Sequence, residues 1–231
     1  MASIRHAGDA IAHDLRSPLT RMRAKLEVAI IDVEAGRADA GEALGNALTE
    51  ADELLKTFNT VLAIARLQAA GETPDPAVFD AADLAADMAE LYEPAAEDKG
   101  LDFSAEIERG LPVNANRAFL AQALANLIDN AIKYTPTGGA VMLRARRRSN
   151  GEVEFSVTDT GPGVPDEHRE RVVQRFVRLE NSRTEPGSGL GLSLVAAVAE
   201  AHDGRLQLDE GPGAVDGFGP GLRVAFILPP A

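Results

Sequence analysis

The sequence predicts an α+β fold: a two-helix hairpin that pairs with a second copy into a four-helix bundle, followed by an α/β sandwich. Three observations carry this prediction. Apolar residues recur at alternating intervals of four and three in the first 65 residues, strand and helix patterns are mixed beyond residue 80, and aromatic residues make up only 4% of the chain. A core poor in aromatic side chains is built mainly from Leu, Val, Ile and Ala, which suits packed helices and a small sheet layer.

The first predicted helix spans residues 2–33. Its apolar positions form one stripe at about 100° per residue, and they are Leu15, Leu19, Met22, Leu26, Ala29 and Val33. His13 lies about 200° around the axis from this stripe, so we expect its ring to face water. A histidine on the apolar face would instead indicate a packed core residue. Pro18 predicts a kink one turn after His13, because proline removes a backbone donor and disfavours helical geometry in the residue before it.

The second predicted helix follows a turn at residues 34–41. It carries a heptad pattern over three repeats, formed by Leu44, Leu48, Ala51, Leu55, Phe58, Leu62 and Ala65. Two such helices form an antiparallel hairpin that cannot cover both of its own apolar seams, so we expect a homodimer with a four-helix bundle. The alternative is a monomeric hairpin that packs on the rest of the chain.

The glycine- and proline-rich segment 69–78 is interpreted as the boundary between a helical domain, residues 1–70, and a second domain, residues 71–231. The second domain is predicted to contain helices at 81–99, 118–134 and 190–202, and strands at 102–107, 141–147, 153–158, 205–208 and 222–228. Asn150 and Gly151 are a hairpin-turn signal between two of these strands. This order of elements predicts helices on one face of a mixed sheet.

The charge and the absence of cysteine narrow the class of protein. With 36 acidic and 23 basic residues the net charge is −13, which repels nucleic acid and anionic membrane surfaces, so we expect no nucleic-acid partner. The arginine-rich stretch 144–148 is interpreted as a solvated strand end. The lack of cysteine excludes disulfides and thiolate metal sites and is compatible with a reducing cytoplasm.

Neither a signal peptide nor an apolar run of membrane-spanning length is present in the sequence. We therefore expect a cytoplasmic protein, attached to a membrane, if at all, only through upstream segments outside this sequence. The chain starts twelve residues before His13, inside a predicted helix. This start favours a fragment of something longer.

Two asparagines mark the predicted helix 118–134. Asn126 and Asn130 are four residues apart and lie on one face, with Lys133 near them. Two amides and an ammonium group on one face can coordinate Mg²⁺ and neutralise phosphate oxygens. Taken alone the spacing is weak evidence, because paired asparagines on a helix are usually solvated.

The segment DTGPG places Asp159 at the end of an apolar strand, with Gly161 and Gly163 in the following loop. A carboxylate fixed there can accept a hydrogen bond from an exocyclic amine, while the glycines let the backbone approach a flat base. The alternative is an ordinary Asp-Thr-Gly turn.

A second glycine-rich loop opens the predicted helix at 190–202. It supplies free backbone donors and a positive helix end for a polyphosphate. The strand and glycine spacing of the dinucleotide-binding pattern are missing here. The residues of this loop are Gly187, Ser188, Gly189, Leu190 and Gly191.

Two further segments are interpreted as loops. Residues 166–186 hold Arg175, Phe176 and Arg178 among polar residues and are predicted to form a mobile lid over the nucleotide. Residues 211–221, rich in Gly and Pro, are predicted to be a plain loop between strands.

Taken together, the stretch AHDLRSPLTRMRAKLE, the helix NLIDNAIKYTP, the turn DTGPG and the helix start GSGLGL resemble the sensor histidine kinases of two-component signalling in order and spacing. The resemblance covers nearly the whole chain: a dimerisation and phosphoacceptor hairpin, then a Bergerat-type ATP-binding domain of the kind shared with gyrase, Hsp90 chaperones and MutL. It implies a kinase that phosphorylates its own histidine from Mg-ATP and passes the phosphoryl group to an aspartate on the receiver domain of a response regulator.

For the hairpin, the resemblance implies three roles. His13 is the phosphoacceptor, and Asp14 is the adjacent acid that takes a proton from the imidazole. Ser17 stands where the family commonly has the Thr or Asn that positions water for dephosphorylation of the partner, which puts a phosphatase activity in doubt.

For the second domain, the resemblance implies that Asn130 is a Mg²⁺ ligand assisted by Asn126. Lys133 and Tyr134 then face the phosphates and sugar. Asp159 faces the adenine amine, and Arg178 the γ-phosphate.

The ATP-hydrolysing members of the wider family carry a Glu four residues before the metal asparagine, where this chain has Asn126. An amide cannot act as the base that activates water, so transfer to His13 rather than hydrolysis is expected. Two alternatives stay open from the sequence. One is a degenerate kinase that acts mainly as a response-regulator phosphatase or docking module, and the other is an ATPase of the same fold that acts as a conformational clamp.

Overall fold

The structure, a computed structural model, describes residues 20, 22–24, 26–36, 39–70, 75–179, 188–213 and 219–231. The predicted site residues His13, Asp14, Ser17 and Gly187, and the predicted kink at Pro18, lie outside these ranges. Helix α1 has its described helical residues at 20, 22–24 and 26–34. The other described helices are α2 (Ala40–Ala70), α3 (Ala81–Asp98), α4 (Arg117–Tyr134), α5 (Asp166–Val172) and α6 (Gly191–Ala201).

The described strands are β1 (Ala77–Asp80), β2 (Asp102–Ile107), β3 (Pro112–Ala115), β4 (Ala140–Arg147), β5 (Val153–Asp159), β6 (Arg205–Glu210) and β7 (Leu222–Leu228). Five of them form a mixed sheet in the order β2-β4-β5-β7-β6. The β2-β4 pair is parallel and the other pairs are antiparallel. The mixed sheet and the β4-β5 hairpin were both predicted from the sequence, and Gly151 in that hairpin has a φ of +88°.

Three short elements were missed. Strands β1 and β3 form a separate antiparallel sheet of two strands, and α5 occupies the first part of the segment predicted to be a mobile lid. Each strand has four residues and the helix has seven. Elements this short do not complete enough turns or alternations for a hydrophobic period to be recognised.

The main core lies between the five-stranded sheet and helices α3, α4 and α6. Phe155 of β5 and Phe226 of β7 stack in it with ring centroids 6.3 Å apart, and Leu124 of α4 and Leu194 of α6 are fully buried. The opposite face of the sheet combines charged and apolar residues: Ile227 is fully buried there, and its register partner Glu154 is 1% exposed and pairs with flanking arginines. Burial alone raises the pKa of Glu154, but the ion pairs outweigh burial and hold that pKa below its usual value.

The two halves of helix α2 differ in how much of their apolar surface is buried. Val61, Ile64 and Leu67 in its C-terminal half are buried in the same apolar cluster as α6, against which α2 packs. In its N-terminal half, Leu44 is 71% exposed and Leu48 is 65% exposed. The hairpin therefore packs on the rest of the chain through one half of α2 and leaves the heptad seam of the other half uncovered within a single chain.

A helix-to-helix link joins the start of α4 to the end of α6. Asn116 caps α4, because its Oδ1 accepts a hydrogen bond from the backbone N–H of Phe119 at 3.1 Å. The backbone N–H of Asn116 donates to Nε2 of His202 at 3.0 Å, and Nδ1 of His202 donates to the carbonyl of Val198 at 2.7 Å. Both ring nitrogens of the neutral imidazole therefore form hydrogen bonds.

The described residues include no helix with the length and apolar character that a membrane span requires.

We expect His202 to make stability depend on pH. Burial lowers the pKa of His202 below its usual 6.5. As the pH falls, His202 is therefore protonated in the unfolded chain before it is protonated in the folded chain. The free energy of unfolding, measured by urea denaturation, should therefore fall as the pH drops from 7.5 to 5.5. His202→Gln keeps every other titrating group, so the difference in pH dependence between native and variant isolates this histidine. Identical dependence in the two proteins would contradict the assignment.

Candidate nucleotide-binding site

The paired amides of α4 face the start of α6. Asn126 donates from Nδ2 to the carbonyl of Gln122 at 2.8 Å, and its Oδ1 lies beside Gly191. A Cβ atom placed on Gly191 would lie 3.1 Å from Asn126 Oδ1 and 3.3 Å from Asn130 Nδ2. The structure therefore brings both asparagines next to the glycine that begins α6.

The start of α6 offers backbone donors at the same place. Leu190 precedes the helix and provides no side-chain cap, and the first backbone hydrogen bond within the helix joins the N–H of Leu194 to the carbonyl of Leu190 at 2.9 Å. The backbone N–H groups of residues 191–193 therefore form the positive end of the helix dipole. Such an end is suited to binding phosphate.

The turn before α6 is held by the segment that contains Arg178. The backbone N–H of Phe176 donates to the carbonyl of Gly189 at 2.9 Å. Gly189 has a φ of +72°, and a Cβ there would lie 3.1 Å from Cγ of Arg178. Phe176 itself has a φ of +61°, a conformation that non-glycine residues rarely adopt. Arg178, a predicted phosphate contact, thus lies beside the glycine turn.

Asp159 ends β5 as a buried carboxylate, 8% exposed. Its Oδ1 accepts a hydrogen bond from the backbone N–H of Gly161 at 2.8 Å. Burial raises the pKa of Asp159 to about 6, although the backbone N–H groups of Gly161 and Leu222 act in the opposite direction. A Cβ on Gly161 would lie 2.9 Å from the carbonyl oxygen of Tyr134, so the DTGPG turn is in contact with the end of α4.

The end of α4 carries the predicted pair Lys133 and Tyr134. Lys133 Nζ donates to the hydroxyl of Tyr134 at 3.2 Å and lies 4.7 Å from the centre of its ring. Lys99 Nζ donates to the carbonyls of Ile132 at 2.5 Å and Lys133 at 2.7 Å, which fixes the last turn of the helix. The sequence did not reveal this role of Lys99, because the contact joins residues more than thirty positions apart.

The described residues of 211–221 lie between β6 and β7, where the sequence predicted a plain loop, and they also contact the site. In its described residues, the backbone N–H of Gly221 donates to the carbonyl of Gly161 at 3.0 Å, so the loop is joined to the DTGPG turn. Clusters of Gly and Pro indicate turns, but they do not indicate which distant backbone a glycine will touch.

A divalent cation is compatible with these donors. The described part of the chain contains no group of three or more His, Cys, Asp or Glu that could hold a metal ion. Mg²⁺ prefers oxygen ligands and is commonly bound by few protein groups together with substrate phosphates. The oxygen of Asn126 and the amide of Asn130, next to a helix end suited to phosphate, fit this mode of binding.

The mixed sheet, the amide-bearing helix and the two glycine turns define an ATP-binding domain of the kinase and gyrase type, preceded by a helical hairpin. Two family models match the chain. The family described as "Histidine kinase-, DNA gyrase B-, and HSP90-like ATPase" matches residues 115–231, and the "His Kinase A (phospho-acceptor) domain" matches residues 9–70. The chain belongs to the sensor histidine kinases.

Individual relatives agree with this assignment. The signal transduction histidine-protein kinase/phosphatase MprB of Mycolicibacterium smegmatis is 34% identical over 223 residues, which cover 94% of this chain and 44% of MprB. The sensor-like histidine kinase SenX3 of the same organism is 30% identical over 90% of this chain and 51% of SenX3. The chain thus spans about half the length of these relatives.

Solved structures have the same fold. A mycobacterial sensor histidine kinase MprB structure superposes with a TM-score of 0.60 at 32% identity, covering 66% of this chain and 97% of that one. Full-length ShkA in complex with AMPPNP superposes with a TM-score of 0.68 at 30% identity, covering 96% of this chain and 45% of ShkA.

We expect nucleotide binding to weaken at low pH through Asp159. A protonated carboxyl group accepts a hydrogen bond from an amine less strongly than an ionised carboxylate does. With a pKa of about 6 in the free protein, roughly nine tenths of the Asp159 side chains are protonated at pH 5, so, with the adenine amine as the predicted partner of Asp159, the Kd of ADP should rise by up to about tenfold above its value at pH 7.5. Titration calorimetry at both pH values measures the change.

Asp159→Asn is the matched control, because it keeps the shape of the side chain and cannot titrate. It should bind ADP more weakly at pH 7.5 and show only the pH dependence that belongs to the nucleotide phosphates. A native protein with the same pH dependence as this variant would refute the assignment.

Proposed function

We propose that this chain is the core of a protein-histidine kinase that phosphorylates His13 from Mg-ATP and then passes the phosphoryl group to an aspartate on a response regulator receiver domain. The contact between the two amides of α4 and the first glycine of α6 carries the proposal, because it brings cation ligands next to phosphate-binding backbone donors. The match of residues 9–70 to the phosphoacceptor family supports the role of His13.

The described residues supply the binding and orientation of the nucleotide. Asp159 accepts a hydrogen bond from the adenine amine, and the N–H groups at the start of α6 bind the phosphates. Lys133 and Arg178 add positive charge near them, with Tyr134 toward the sugar. Bound Mg²⁺ neutralises charge on the phosphate oxygens, and Asn130 and Asn126 are its protein ligands in this proposal.

His13 is the nucleophile in its neutral form. One imidazole nitrogen forms a bond to the γ-phosphorus while the bond from that phosphorus to the bridging oxygen of ADP breaks. Asp14 holds the other ring nitrogen and takes its proton, which makes the attacking nitrogen more nucleophilic.

Asn126 favours transfer over hydrolysis. Its Nδ2 donates to Gln122, and an amide has no basic site that could take a proton from water. This disfavours the alternative of an ATPase clamp. Ser17, in place of the Thr or Asn that the family commonly has, disfavours a protein that acts mainly as a response-regulator phosphatase.

A homodimer is part of the proposal. Apolar surface is exposed on both helices of the hairpin: Leu55 in the seam of α2 is 58% exposed, and Val28 of α1 is 57% exposed. A second hairpin would cover these surfaces in a four-helix bundle.

We place the division between the bundle domain and the ATP-binding domain between residues 70 and 71, after the last residue of α2. We assign the core to the cytoplasm.

Incubation with ATP labelled at the γ-phosphate, in the presence of Mg²⁺, tests the proposal. We expect acid-labile, base-stable label on the native protein, none on His13→Ala, which lacks the acceptor, and little on Asn130→Ala, which lacks the cation ligand. The drop in Asn130→Ala should be about a hundredfold or more in rate. Labelling is measured by electrophoresis, and free phosphate is measured in parallel.

Asn150→Ala, in the exposed β4-β5 turn, is the matched control and should be labelled like the native protein. Label that persists in His13→Ala would exclude His13 as the acceptor. Release of free phosphate without labelled protein would favour the hydrolysing clamp instead.

A further inference from the structure

We propose that the loop before β7 is a glycine clasp that positions the Asp159 carboxylate and thereby sets the preference of the site for adenine over bases without a 6-amino group. The clasp comprises Gly211, Gly219, Pro220 and Gly221. The inference rests on the proposed nucleotide-binding function and adds positioning residues to it.

Close backbone contacts carry the proposal. A Cβ on Gly219 would lie 2.5 Å from the carbonyl oxygen of Gly161 and 2.7 Å from Cα of Pro162. A Cβ on Gly211 would lie 2.8 Å from the backbone oxygen of Asp159, and one on Gly221 would overlap the same oxygen. Real Cβ atoms do not approach other atoms this closely, so the clasp touches the DTGPG turn only because three of its residues have no side chain.

A hydrogen bond joins the clasp to the DTGPG turn, because the N–H of Gly221 donates to the carbonyl of Gly161 at 3.0 Å. A second bond, from the N–H of Gly211 to the carbonyl of Gly221 at 3.2 Å, lies within the clasp. Leu222, directly after the clasp, is paired with Asp159 in the β5-β7 ladder. The turn that follows Asp159 is therefore held by the clasp as well as by its own strand.

The far side of the turn is also fixed by the clasp. Gly163 has a φ of +71°, and a Cβ there would lie 2.6 Å from the carbonyl oxygen of Gly221 and 3.0 Å from Cγ of Pro220. The turn from Asp159 to Gly163 is thus in contact with the clasp at both of its glycines.

The link from the clasp to base selection runs through Gly161. Its backbone N–H donates to Asp159 Oδ1 at 2.8 Å and so orients the carboxylate. A shift of Gly161 turns that carboxylate, and a hydrogen bond weakens steeply when its geometry is lost. A base with a 6-carbonyl oxygen presents lone pairs to the carboxylate and leaves it without a donor, which is the basis of discrimination.

The test compares the Kd of ADP with that of inosine diphosphate, which has a carbonyl oxygen in place of the amine, by titration calorimetry. The native protein should bind ADP more tightly by about tenfold or more, as expected for one hydrogen bond to a charged group. In Gly219→Ala the displaced turn should reduce this ratio to about twofold. An unchanged ratio in folded Gly219→Ala would overturn the proposal.

Two control variants separate positioning from loss of stability. A Cβ on Gly204 would overlap the backbone oxygen of Ile227, at the opposite end of β7 from the site, and Gly213 has a φ of +87° in the same loop but open space around it. Gly204→Ala and Gly213→Ala should lower the thermal midpoint and keep the native ratio of the two Kd values. A ratio that falls equally in Gly204→Ala would overturn the proposal, since it would then follow stability.

Pro220→Gly tests whether the clasp positions the Asp159 carboxylate if Gly219→Ala does not fold. It introduces no clash, because it removes the ring of an exposed residue and adds no side-chain atom, while it frees the backbone φ angle that proline fixes. A reduced ratio in this variant supports the clasp, and the native ratio overturns it. A native protein that binds neither nucleotide would refute the proposed function itself, whereas tight ADP binding with an unaltered ratio in the variants would refute only the clasp.

Discussion

The close approach of α4 and α6 is the constraint on which the candidate site depends. Gly191 lies against Asn126 and Asn130 at distances that leave no room for a larger side chain to sit undisturbed, and the buried Leu194 packs the start of α6 into the core. The positive end of one helix and the amides of another are thereby held in one place. The whole chain carries a net charge of −13, which repels a polyphosphate over most of the surface. The helix end and the amides are therefore needed to make binding favourable at this one place.

Long periodic elements were predictable from the sequence. Helices α4 and α6 and strand β7 were placed within about two residues of their observed ends, because their apolar period is repeated several times and is marked by caps or glycines. Contacts between distant segments were not predictable. The hydrogen bond from Asn116 to His202 joins residues 86 positions apart, and no local pattern of residues encodes such a partner.

Glycine illustrates the same limit within the site. The sequence correctly indicated that the DTGPG segment and the described residues of the GSGLGL segment turn, since glycine favours turns wherever it occurs in clusters. It did not indicate that the backbone of the DTGPG turn lies against Gly219 and Gly221 and leaves no space there for a side chain. A glycine needed for a positive φ and a glycine needed for close approach look alike in sequence, and only the packing distinguishes Gly213 from Gly219.

The attachment of α2 to the ATP-binding domain rests on apolar burial more than on charge. Lys56 of α2 pairs with Asp129, the residue before Asn130, at 2.8 Å, but the two side chains are 70% and 38% exposed, and an exposed pair contributes about 0–1 kcal/mol. Each buried side chain among Val61, Ile64 and Leu67 contributes about 1.5–3 kcal/mol. Separating α2 from α6 therefore costs several kcal/mol. A ligand at a hundred times its Kd supplies about 2.7 kcal/mol, which is less than the contribution of these three buried side chains together, so the binding of one ligand at that concentration does not offset the burial that holds the hairpin against this domain.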